Sequence, residues 1–185
     1  PRWALGNFMS RFGYRTQEEV LEIAGKMKAE RFPFDAVIID LFWFGDAVHG
    51  AWNMGNLDWN RKRFPEPEKM IADLNKQNIK TILITEPFVL SESFNYNYTQ
   101  QSKLNAVDAK GDTVGIKEFF FGHTGLLDMF QNKTKDWFWS KYDAQIKLGV
   151  AGWWGDLGEP EKHPNYVYHN LTDFGQKRLF SADEV

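Results

Sequence analysis

The sequence predicts an α/β protein of the TIM (β/α)8-barrel type, with residues 1–185 supplying about the first four β/α units as a single segment. Three observations carry that reading. Strand-type and helix-type patterns alternate strictly along the chain. The strands are near-continuous apolar runs, as expected for parallel strands buried on both faces. The stretches after strands are long and irregular, whereas the returns into the next strand are short.

The elements follow in order. Trp3 to Ser10 is short and mostly apolar and reads as strand one. Thr16-Gln17-Glu18-Glu19 has the T-x-x-E form of a capping box. Val20, Ile23, Ala24 and Met27 then recur on one helix face, and Pro33 stops the pattern. Ala36 to Phe42 is strand two, followed by a Trp/Gly/Asn-rich loop to about Phe64. Pro67 suits the first turn of a helix whose apolar face is Met70, Ile71 and Leu74. Lys80 to Thr85 is strand three. A very long irregular stretch runs from Glu86 to about Asn132, with Phe119-Phe120-Phe121 as a strand or wall within it. Thr134 to Leu148 is a helix with Gly149 as its C′ residue, and Val150 to Gly155 is strand four.

An open, doubly wound sheet is the competing architecture. It would place a Gly-rich turn after strand one. The turn here is Ser10-Arg11-Phe12-Gly13-Tyr14, which is not G-x-G-x-x-G. A closed barrel needs eight strands and about 250 residues. The chain is therefore expected to be the N-terminal half of a barrel, with two sheet edges that invite self-association.

Composition narrows the function classes. A net charge of −3 gives no basic field for nucleic acid or anionic lipid. The apolar runs break within about ten residues, too short to span a bilayer. Cysteine is absent, which excludes disulfides, thiolate metal sites and cysteine nucleophiles. Pro1 to Leu5 carries no leader pattern, so location stays open, with an extracytoplasmic setting favoured. Aromatic residues reach 16%, with eight Trp and sixteen Phe, which fits either a large aromatic core or stacking against sugar rings.

Polar residues at the C-terminal ends of barrel strands are where such a fold places chemistry. Asp40, Glu86 and Asp156 end strands two, three and four. Convergent carboxylates are the machinery of glycoside cleavage, although each could instead merely cap a turn. The densest string is Gly152-Trp153-Trp154-Gly155-Asp156-Leu157-Gly158-Glu159-Pro160.

That string resembles the nucleophile motif of glycoside hydrolase family 31, W-x-D-M-N-E-P. Trp154, Asp156, Glu159 and Pro160 match, while Leu157 and Gly158 replace the common Met and Asn. Trp3-Ala4-Leu5-Gly6 with Ser10-Arg11-Phe12-Gly13-Tyr14 is similar to the family's opening strand. Asp40-Leu41-Phe42-Trp43 is similar to its second-strand segment, and Asp58-Trp59-Asn60 with Phe64-Pro65 to its W-D…F-P stretch. His169-Asn170 resembles the H-N that opens the helix after strand four. The likeness covers essentially the whole chain in order.

The resemblance implies a retaining α-glycosidase with Asp156 as nucleophile. Asp40 is expected to bind sugar hydroxyls, and Trp154 to wall the same subsite. Phe42, Trp43, Glu86 and Glu159 complete the substrate-binding candidates, Phe42 standing near C5 of the sugar. Glucose-type and xylose-type substrates are equally implied. The family's general acid/base comes from a later strand, so the isolated chain is expected to be nearly inactive. An α-glucan transglucosylase and a non-catalytic carbohydrate-binding module are the alternatives. No cofactor or metal is expected. His49, His123, His163 and His169 show no ligand spacing, which also argues against a metal-dependent barrel hydrolase. Trp43, Trp52 and Trp59 divide between loop packing and sugar platforms. An oligosaccharide is the expected partner.

Overall fold

The computed structural model describes residues 1–45 and 53–185. His49 and Trp52, named above, lie outside the described residues. The chain forms two compact units. The first comprises Pro1–Ala51, Leu57–Thr85 and Tyr142–Asp156, and the second Trp52–Asn56, Glu86–Lys141 and Leu157–Val185.

The first unit is built on a four-stranded parallel sheet in the order β1-β2-β3-β6, with β1 Phe8–Ser10, β2 Ala36–Ile39, β3 Lys80–Thr85 and β6 Gly152–Gly155. These are the four expected strands in the expected order. They form an open sheet among the described residues, not a closed barrel. Helix α1 (Gln17–Ala29) connects β1 to β2, and α2 (Pro67–Lys76) connects β2 to β3. Helix α4 (Asn132–Leu148) leads into β6.

Local chemistry explains the helix ends. The Thr16 side chain accepts from the Glu19 N–H at 3.2 Å. The Glu19 carboxylate reaches back one residue further than a capping box requires, to the Arg15 N–H at 2.6 Å. Pro67 opens α2, whose Met70, Ile71 and Leu74 are buried. Gly149 closes α4 with φ +105, and a Cβ there would meet Ile71 Cγ2 at 3.0 Å, so glycine is needed twice over.

Two strand boundaries differ from expectation. Arg2–Leu5 is a 3-10 turn, so β1 starts at Phe8. β2 ends at Ile39, and Leu41–Trp43 turns as 3-10 helix. The reason is Asp40, whose carboxylate accepts from the next backbone N–H, Leu41, at 2.7 Å and caps the turn.

The second unit holds the long stretch after β3, which is more regular than its sequence suggests. β4 (Phe88–Leu90) pairs antiparallel with β5 (Thr124–Leu126), and α3 spans Tyr96–Gln101. Val89, Leu104 and Leu127 form its core, with Trp137 and Phe138 packed against them. Phe119 stacks on Phe88 at 4.4 Å and is buried, while Phe120 is exposed, so the triple Phe is an aromatic wall and not a strand. A second ribbon pairs β7 (Tyr168–Asn170) with β8 (Leu179–Ser181). His169-Asn170 therefore lies within a strand, and a short 3-10 helix (Thr172–Phe174) begins just beyond it, its first N–H donating to Asn170 Oδ1 at 2.9 Å. The His169 ring and the Asn170 N–H are both engaged by Asp128, which holds this segment extended.

Candidate active site

Side chains alternate across a strand, and register sorts the first unit's sheet into two faces. Ser10, Ile38, Ile82 and Gly152 share one row, and Ile84 and Trp154 follow on the same face. Ile39, Leu83 and Trp153 belong to the other face. That other face meets α4. Trp153 stacks on Tyr142 with centroids 3.9 Å apart, and the Tyr142 hydroxyl bonds Thr85 Oγ1.

Asp40 continues the Ile38 face in extended backbone, with φ −76 and ψ −172. Asp156 continues the Trp154 face, and its N–H extends the ladder to the Thr85 carbonyl at 3.0 Å. Both carboxylates thus stand at the C-terminal edge of the sheet on the face away from α4. Burial holds the Asp40 carboxyl above its ordinary range. The Leu41 N–H opposes that shift, and the Asp156 charge adds to it, so the two groups sense each other.

The remaining candidates scatter. Trp154 is half-buried on the carboxylate face. Phe42 and Trp43 are 0% exposed. Phe42 packs against Phe12 at 5.3 Å, under the guanidiniums of Arg15 and Arg63. Trp43 donates to the Ile84 carbonyl at 2.9 Å and meets Trp59 edge-on. Trp59 is itself buried and bonds Gln145 at 2.7 Å. Both rings pack at the end of β2. Glu86 and Glu159 belong to the second unit. Glu86 is 2% exposed, whereas Glu159 is exposed. Glu159 lines a cavity of about 420 Å³ with His163, His169, Phe130 and Leu127.

The reading from sequence missed that His163 and His169 meet, with Nε2 atoms 2.7 Å apart, and that Asp128 holds His169 from behind. Asp128 is 41 positions from His169, a separation that no local motif spans. Among the described residues, no group of three or more acidic or histidine side chains converges as metal ligands. No described helix is long and apolar enough to cross a membrane.

Comparison with known proteins places this geometry in context. Residues 1–179 match the family described as the glycosyl hydrolases family 31 TIM-barrel domain. An α-glucosidase 2 of Bacillus thermoamyloliquefaciens is 30% identical over 162 residues, covering 86% of this chain and 20% of the relative. An α-xylosidase of Saccharolobus solfataricus is 24% identical over 168 residues, covering 91% and 20%. The chain thus spans about a fifth of the length of these relatives. Among solved structures, a Flavobacterium johnsoniae family 31 dextranase complexed with glucose superposes with a TM-score of 0.82 at 23% identity, covering 92% of this chain and 21% of that one. A soil-metagenome family 31 α-xylosidase complexed with xylose gives 0.79 at 24% identity, covering 92% and 25%.

Proposed function

This chain belongs to glycosyl hydrolase family 31, and on that premise we propose that it carries the nucleophile of a retaining α-glycosidase, Asp156. The observation that supports this most is the pairing of Asp156 with Asp40 on one face at the C-terminal edge of the parallel sheet. Barrel enzymes build their sites at that edge.

In this reading an Asp156 oxygen attacks the anomeric carbon as the bond to the leaving oxygen breaks. The leaving oxygen takes its proton from a general acid. Water then cleaves the glycosyl ester, and the same acid, now a base, accepts the water's proton. Asp40 accepts hydrogen bonds from hydroxyls of the bound sugar, and Trp154 supplies an aromatic wall. Phe42 and Trp43 hold Asp40 in place. Glu86 and Glu159 remain substrate-side candidates. The substrate is an α-glucoside or an α-xyloside, the two kinds of sugar named for its relatives. The 185 residues alone, with a nucleophile but no matched acid/base partner, hydrolyse poorly.

The test is covalent trapping. The full-length protein is treated with 5-fluoro-α-glucosyl and 5-fluoro-α-xylosyl fluorides, and the labelled peptide is mapped by mass spectrometry. A label on Asp156 is expected, with the faster sugar naming the substrate class. Asp156→Ala should take no label and lose more than about a thousandfold in turnover. A label on another carboxylate sinks the assignment. Binding of oligosaccharide with no label from either sugar favours a non-catalytic module, and transfer of the trapped sugar to an added sugar in preference to water marks a transglucosylase.

A further inference from the structure

Asp128, just after β5, is 0% exposed, and every group that meets its two oxygens is a donor. The Asn170 N–H and the Gln131 amide approach Oδ2 at 2.9 and 2.8 Å. The Phe130 N–H approaches Oδ1 at 3.3 Å, and His169 Nδ1 lies 3.0 Å from the same oxygen. A carboxylate so placed accepts, so the His169 proton sits on Nδ1.

That assignment fixes the next link. His169 Nε2 faces His163 Nε2 at 2.7 Å. One proton fits in the gap and two do not, because two N–H groups would point head to head. With His169 neutral, His163 donates from Nε2 and its Nδ1 is bare. His163 Nδ1 is buried and has no hydrogen-bond partner among the described residues. Adding a proton to the pair, on either ring, puts an N–H on that enclosed nitrogen. Charging an imidazole there costs desolvation, which the backbone at His163 and Pro164 offsets only in part.

We propose that Asp128, His169 and His163 form a one-proton clasp, which pins the 157–165 loop to the β7–β8 ribbon at neutral pH and releases it in acid. The loop carries Glu159 and Pro160, and with both histidines these line the cavity of about 420 Å³. Acid therefore loosens one wall of that cavity.

The ionisable groups around His163 set the direction. Burial pushes its pKa down, and the neighbouring His169 adds to this. The backbone at His163 and Pro164 and, less strongly, the Asp183 charge from the terminal 3-10 turn pull the other way without reversing the shift. Asp128 acts through His169, and Glu159 faces the same cavity. In the unfolded chain a histidine takes up its proton near about pH 6.5. The folded clasp resists that uptake, so the unfolded state binds more protons as pH falls. The clasp's contribution is full above about 6.5 and is lost below it as pH passes through the lowered folded value.

The test needs no sugar, so it stands or falls apart from the glycosidase reading. Long-range ¹⁵N spectra of the imidazoles at pH 7.5 should show His169 protonated on Nδ1 and His163 on Nε2. His163 should stay uncharged to below the ordinary histidine value of about 6.5. A His163 that charges at or above that value would overturn the clasp. His163→Gln keeps a donor toward His169 but cannot charge. Its loss of Tm between pH 7.5 and 5.5 should be smaller than wild type's by at least about 2 °C. An equal loss overturns the proposal, and the spectra of the unaltered protein decide the matter should the variant not fold.

Discussion

Asp40 shows how a single residue can serve two ends at once. Its carboxylate caps the turn that follows β2, yet it is buried and lies in the field of Asp156. Its pKa is raised on folding, so ionised Asp40 weighs against the folded state. Its contribution is most favourable below the unfolded value of about 3.9 and declines as pH rises through the higher folded value. Asp40→Asn keeps an oxygen for the Leu41 N–H and removes the charge. It should raise stability at pH 7 by about 1 kcal/mol in urea unfolding while abolishing turnover in the full-length protein. Unchanged stability would show that burial of this charge costs little. Asp156 was legible in the sequence because its neighbours Trp154, Glu159 and Pro160 form a contiguous string. The burial of Phe42 was not legible, because side-chain direction at a strand end depends on where the turn begins, and that turn begins at Asp40.

At the scale of elements, Trp43 ties the β2 turn to β3 by one hydrogen bond and a fully enclosed ring. Trp43→Phe should cost about 1–3 kcal/mol by leaving the Ile84 carbonyl unmatched. Trp43→Ala should cost about 3–5 kcal/mol through the cavity it opens. Urea unfolding measures both, and a negligible cost for Trp43→Phe would mean that the hydrogen bond contributes nothing of its own. Helices α1, α2 and α4 were readable because capping residues, Pro67 and Gly149 act locally and the apolar period is helical. The β4–β5 and β7–β8 ribbons were not. Their strands are three residues each, and β4 and β5 pair across more than thirty intervening residues. So short a run carries no usable alternation.

At the scale of the molecule, the parallel sheet has β1 and β6 at its edges among the described residues. Unpaired strand edges recruit other strands. The 185-residue polypeptide should therefore self-associate as concentration rises, which sedimentation velocity would record. A monomer at every concentration would mean that its own chain covers those edges.

The sequence by itself determined the order of four strands and their helices, the family, and the carboxylates to watch at the strand ends. Those features rest on near-neighbour chemistry: capping, apolar periodicity and one contiguous motif. Only the tertiary structure decided which face each carboxylate takes, which aromatics are buried, and that Asp128, His169 and His163 meet. These depend on register and on contacts between residues far apart in the chain. Such contacts come into being only when the sheet and the ribbons pack, and no local pattern encodes them.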